Sequence, residues 1–166
     1  MLGLTTLAMV ATTTALPASS PTSSSSGSGL NIINNLSDDI YLWTVTDTPG
    51  DQKTLSKGNS HSETWQTNSN GGGVSIKLST SDSKDSVLQF EYTQDGDTLY
   101  WDLSSINLNK DSSFVTQGFK VTTDDDSCKT AQCDAGDSNC AASYQHPDDV
   151  NTNSCRKSAA FTLTLG

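Results

Sequence analysis

Two carboxylates and a tyrosine within one short stretch, Glu91, Tyr100 and Asp102, are the side chains best placed to do chemistry together. A carboxyl pair flanking a glycosidic bond can hydrolyse it, at separations of about 5–5.5 Å for retention and about 6.5–9.5 Å for inversion. A ring beside acidic and amide oxygens also suits a sugar site without catalysis, because the flat sugar face stacks on the aromatic and the hydroxyls donate to the acceptors. Gln89, Glu91, Tyr100 and Asp102 are therefore the candidate ligand-binding residues, and Glu91 and Asp102 the candidate catalytic pair. The competing reading is the solvated outer face of an antiparallel sheet.

A hairpin must position them. Leu88 to Leu103 alternates apolar and polar residues on both sides of Asp95-Gly96, and Asp-Gly between alternating runs is a strong short-range hairpin signal. With those two residues as a type I′ loop, Tyr92 faces Leu99, Phe90 faces Trp101 and Leu88 faces Leu103, all on one side of the sheet. Gln89, Glu91 and Thr93 then share the other side with Asp102, Tyr100 and Thr98, and Glu91 and Asp102 become diagonal neighbours roughly 7–8 Å apart. A slip of one residue would exchange the two faces.

The remainder of the chain reads as strands and turns. Strands are expected at 30–35, 39–46, around 54–55, at 62–66, 74–78, 119–122 and 159–165, which together predict an all-β sandwich. The run Gly71-Gly72-Gly73 precedes a strand and not a helix, so it is a turn and not a phosphate loop, and no cofactor is expected. Asp124-Asp125-Asp126 and Asp148-Asp149 lack the alternating acidic positions of a calcium loop, so no metal is expected either. His61 and His146 have no serine motif to serve.

At 166 residues the chain suffices for one domain with a real core. A net charge of −10 argues against nucleic acid and anionic membranes as partners, and neutral glycans or a basic patch on an extracellular protein fit it better. Residues 1–18 read as a secretory leader, with an apolar run at 1–11 and small residues near Ala15 and Ala18. No apolar run approaches the ~18 residues a membrane helix needs, so no membrane insertion is expected, and the domain is expected to be monomeric. Residues 19–29 form a Ser-rich linker, and 30–166 the domain. Asn35-Leu36-Ser37 is an N-glycosylation sequon, making Asn35 a candidate acceptor.

Cys128, Cys133, Cys140 and Cys155 are even in number and follow a leader, which implies two disulfides with three possible connectivities. The nested pairing, Cys128 with Cys155 and Cys133 with Cys140, is the expected one. It would staple a turn-rich segment that has few apolar residues of its own.

Several pieces, taken in order, resemble the small fungal thaumatin-like proteins, the antigenic or yeast-phase-specific secreted branch. They are Ile33-Asn34-Asn35, Ile40-Tyr41-Leu42-Trp43, Leu55-Ser56-Lys57-Gly58, Gly72-Gly73 through Leu78, Glu91-Tyr92-Thr93, Tyr100 through Leu103, and Cys140 through Asp149 leading to Cys155. The resemblance implies a thaumatin-like antiparallel β-sandwich, secretion to the cell wall or beyond, and an acidic cleft tied to β-1,3-glucan binding or weak hydrolysis. It puts Glu91 where the cleft glutamate would be and Asp102 where one cleft aspartate would be. Asn107 stands where a second aspartate is expected, and the cleft arginine has no counterpart. Hydrolysis also needs one carboxyl held protonated by burial or a like charge, and Gln89 and Thr93 promise little of either. Binding of glycan or of a host or partner protein, as an effector or antigen, is therefore the expected function, with glucan hydrolysis as the alternative.

Overall fold

The computed structural model describes residues 27–166, so the leader and the linker as far as residue 26 lie outside the described residues. Strands β1 (Gly29–Asn34), β2 (Ile40–Val45), β3 (Lys53–Leu55), β4 (Ser60–Glu63), β5 (Val74–Ser79), β6 (Leu88–Asp95) and β7 (Thr98–Ser104) come first. They are followed by a one-turn helix α1 (Ser113–Gln117) and strands β8 (Phe119–Thr123), β9 (Ala131–Cys133), β10 (Asn153–Arg156) and β11 (Ala160–Leu165). Two sheets form a sandwich, one in the order β4-β1-β11-β8-β9 and the other β10-β7-β6-β5-β2-β3. The pairing is antiparallel except between the first and last strands, β1 and β11, which run parallel.

Period-2 alternation accounts for the core. Leu88, Phe90 and Tyr92 on β6 and Leu99, Trp101 and Leu103 on β7 are all buried on the inner face. Phe90 stacks on Trp101 with ring centroids 5.8 Å apart, and Phe161 from the other sheet meets Trp101 edge-on at 5.4 Å. Trp65, carried by the loop after β4, joins Tyr92 at 4.8 Å and Phe161 at 5.4 Å. Its indole N–H donates to the Lys157 carbonyl at 3.0 Å, so this ring also ties the chain after β10 to the core. On β2 the inward residues are Ile40, Leu42 and Thr44, which leaves Trp43 on the outer face, where it is covered and has the Lys84 ammonium 5.0 Å from the ring centroid.

The hairpin differs from expectation in one respect. Asp95 pairs with Thr98, so the two-residue loop is Gly96-Asp97 and every cross-strand pair shifts by two positions. The turn chemistry explains the shift. A type I′ loop at Asp95-Gly96 would put an aspartate at positive φ, whereas a loop beginning at Gly96 needs positive φ only there, as in a type II′ turn. Gly96 has φ 56°, and no non-glycine residue has a positive φ among the described residues. Lys157 holds the turn from outside, its ammonium donating to the Gly96 carbonyl at 2.7 Å.

The disulfides are Cys128–Cys155 and Cys133–Cys140, the nested arrangement. Cys128 lies in the β8–β9 connection of one sheet and Cys155 on the edge strand β10 of the other, so this bridge joins the layers. Arg156 pairs with Asp125 at 2.7 Å beside it. α1 was not legible as a helix because one turn is too short for a 3.6-residue period. It is held by Ser112, whose hydroxyl accepts from the Phe114 N–H at 3.3 Å, and by Gly118 at φ 80°.

Candidate functional site

Strand parity and the observed register together build the outer face of the six-stranded sheet. One row across it runs Val45, Ser75, Glu91, Asp102, and the next runs Trp43, Lys77, Gln89, Ser104. Thr93 and Tyr100 form the following pair on β6 and β7. Glu91 and Asp102 therefore stand directly opposite each other, with Cβ atoms about 4.5–5.5 Å apart, and not diagonally as the Asp95-Gly96 loop implied. Because the slip is two residues and the side-chain period is also two, both faces kept their membership while the neighbours changed.

Gly73, Ser75, Thr93, Tyr100 and Thr152 surround the pair in an open depression of about 430 Å³. Tyr100 is 43% exposed, the most accessible aromatic ring named on this face. Glu91 and Asp102 are half-buried, and neither belongs to an ion pair among the described residues. Burial pushes the Asp102 carboxyl up to about 7, with the Glu91 charge opposite as the second cause. The raised proton affinity that the sequence did not promise is thus supplied first by burial and then by the register that sets Glu91 opposite.

Gln89 contributes differently. It is only 6% exposed, and its carbonyl oxygen accepts from the Ser75 hydroxyl at 3.2 Å and from the Lys77 ammonium. Its amide donates to Ser104 Oγ at 3.4 Å. Gln89 therefore forms the floor next to the pair. Ser75 and Thr152, absent from the sequence-based set, line the same depression. Ser75 was findable from the alternation of β5, but Thr152 was not, since Asn153–Arg156 has no apolar alternation to mark it as a strand. Asn107 lies in the connection after β7, where its carbonyl accepts from the Val87 N–H at 3.2 Å. Asn35 is exposed at the end of β1, its amide donating to the Gly166 carbonyl at 3.3 Å.

A second polar cluster lies where the sheets meet. The Glu63 carboxylate, whose side chain is 6% exposed, accepts from Thr44 Oγ1 at 2.6 Å, Lys53 Nζ at 2.8 Å and His61 Nε2 at 2.9 Å. Burial raises its proton affinity, but the bonds from Lys53, Thr44 and His61 outweigh that and hold it below the usual value. Because β2 and β3 belong to one sheet and β4 to the other, this carboxylate clasps the layers. A carboxyl whose folded pKa is depressed stabilises above its unfolded pKa and loses that contribution as pH falls through the folded value. Glu63→Gln is therefore expected to lower stability by about 1–3 kcal/mol near neutrality. The gap from wild type should narrow as pH falls through and below the ordinary glutamate range, as urea titrations of both proteins at acid and neutral pH would show.

Comparisons with known proteins place these features in a family. A family model described as Blastomyces yeast-phase-specific protein matches residues 17–166. The chain is 53% identical over 159 residues to the secreted thaumatin-like protein calA of Emericella nidulans, covering 96% of this chain and 92% of that one. It is 35% identical over 137 residues to an antigenic thaumatin-like protein of Arthroderma benhamiae, covering 81% and 69%. Among solved structures, the protein elicitor MoHrip2 from Magnaporthe oryzae superposes with a TM-score of 0.68 at 22% identity, covering 82% of this chain and 97% of that one. The thaumatin-like xylanase inhibitor TLXI superposes with 0.52 at 10% identity, covering 81% and 97%. At those identities the two structures speak for the fold alone.

Proposed function

The chain belongs to the Blastomyces yeast-phase-specific protein family of secreted thaumatin-like proteins, and from that premise we propose that it binds cell-wall glycan of the β-1,3-glucan type through the outer face of its six-stranded sheet. The observation that carries this reading is the exposed Tyr100 ring beside the Glu91 and Asp102 carboxyls, whose oxygens are engaged in no ion pair among the described residues. A sugar face stacks on the ring while its hydroxyls donate to the carboxyl oxygens. Gln89, pinned by Lys77 and Ser104, keeps the floor rigid. Asn35, exposed and outside this face, is the candidate acceptor for an N-linked glycan on the protein itself.

The test is depletion of the oxidised protein by insoluble β-1,3-glucan, with chitin and cellulose as comparators. Tyr100→Ala should weaken retention by about five- to tenfold, the worth of one stacked ring, while leaving the unfolding curve in place. Undiminished retention would move the ligand off this face. Absence of depletion by all three polymers would favour an extracellular protein partner.

A second reading, weak hydrolysis of the same glycan, has one observation in its favour. Asp102, raised to about 7, is the protonated acid that two-carboxyl hydrolysis requires, and Glu91 directly opposite would be the nucleophile of a retaining mechanism. Sugar release that disappears in both Glu91→Gln and Asp102→Asn would establish it. Unchanged release in both would exclude it.

A further inference from the structure

Resting on the glycan reading, we propose that the Glu91–Asp102 pair is a proton switch on the binding face, holding neutral glucan while the two carboxyls share one proton and releasing it when both ionise. The geometry carries the argument. Two carboxylates directly opposite on neighbouring strands repel, and like charges at that position destabilise a sheet unless a cation or a proton intervenes.

The surrounding structure withholds the cation. On β5, Lys77 donates to Gln89 in the next row. From the β5–β6 connection, Lys84 stands over the Trp43 ring. On β10, Arg156 pairs with Asp125, and just beyond it Lys157 pairs with Asp97 at 3.5 Å. Further titratable groups towards this face are Tyr41 on β2, Tyr100, Asp95 at the far end of β6, and Tyr144, whose hydroxyl shares a 2.9 Å hydrogen bond with Thr152. None of these is a cation, so a shared proton is the means left for relieving the repulsion. Asp102, raised by burial and then by Glu91, is the group that takes it.

The direction of the switch follows from hydrogen-bond chemistry. A pair with one proton offers a donor as well as acceptors, matching a sugar that has both hydroxyl hydrogens and ether oxygens, whereas the dianion only accepts. Seating a neutral sugar over two charges also strips water from both, which costs more than covering one. Glucan binding therefore takes up a proton near neutrality, and each unit by which it raises the pair's upper pKa corresponds to about a tenfold change in affinity.

Two measurements on the full oxidised chain test this. Carboxyl carbon chemical shifts followed through a pH titration without ligand should show Asp102 titrating near neutrality, and in Glu91→Gln the midpoint should move down. Titration of Asp102 in the ordinary carboxylate range would overturn the switch whatever the ligand proves to be. Retention on insoluble β-1,3-glucan should be about tenfold stronger at about pH 5.5 than at about pH 8.5 in the wild type. Asp102→Asn should flatten that dependence. Retention that is level across this range, or that rises with pH, would overturn the switch while leaving the binding face intact. No retention at any pH would reject the glycan reading, and with it the proposal that this proton governs glycan binding.

Discussion

Phe90→Ala is expected to destabilise the domain by about 3–5 kcal/mol, the range for deleting a fully buried phenylalanine. Phe90 has no exposed surface and lies within 6.3 Å, centroid to centroid, of Trp65, Tyr92, Trp101 and Phe161. Those rings come from both sheets and from the loop after β4, so the vacancy would be walled by three separate elements that cannot all relax into it. The loss of offset stacking on Trp101, worth about 0.5–1.5 kcal/mol beyond area burial, adds to the cavity cost. Equilibrium urea denaturation monitored by tryptophan fluorescence reads this directly. A loss below about 1.5 kcal/mol would mean that the site collapses and that the cluster is looser than the close packing of an ordinary core.

Removing the Cys128–Cys155 bridge with the double substitution Cys128→Ser, Cys155→Ser should cost about 3–4 kcal/mol and lower Tm by roughly 10 °C. The bridge closes a sequence separation of 27 residues, against 7 for Cys133–Cys140, and the entropy withheld from the unfolded chain grows with the logarithm of the loop. Position adds to length. Cys155 belongs to β10, a four-residue edge strand held laterally by β7 alone, and Cys128 anchors that strand to the opposite sheet. The counterpart double substitution at Cys133 and Cys140 should cost about 1 kcal/mol less. Calorimetry of the two variants checks the order. Equal losses would show that loop length does not set the contribution of either bridge.

These two expectations rest on different kinds of residue, and they differ in how visible they were before the fold. The inward set of the central hairpin was legible because alternation with period two states which residues share a face. So were the secretory disulfides as a pair, the all-β class and the outward company of Glu91, Tyr100 and Asp102. β9 and β10 were not legible, because Ala131–Cys133 and Asn153–Arg156 carry no alternation. β10 is placed by its pairing with β7, far away in the chain, β9 by its pairing with β8, and both by the disulfides. Nor could Glu63 be seen as a clasp, since Thr44, Lys53 and His61 reach it only after β2, β3 and β4 are brought to one end of the sandwich.

The chemistry of the candidate site divides in the same way. Local alternation determined which side chains face outward on β6 and β7, and no two-residue slip could change that. The partner of each was decided by the turn, where only glycine takes positive φ without a Cβ clash, and the loop moved to begin at Gly96. That step turned Glu91 and Asp102 from diagonal neighbours into an opposed pair, and burial with mutual repulsion then set the proton affinity of Asp102. Sequence pattern is a property of neighbours along the chain, so it could state the faces. Separation and desolvation are properties of neighbours in space, and only the folded sheet contains them.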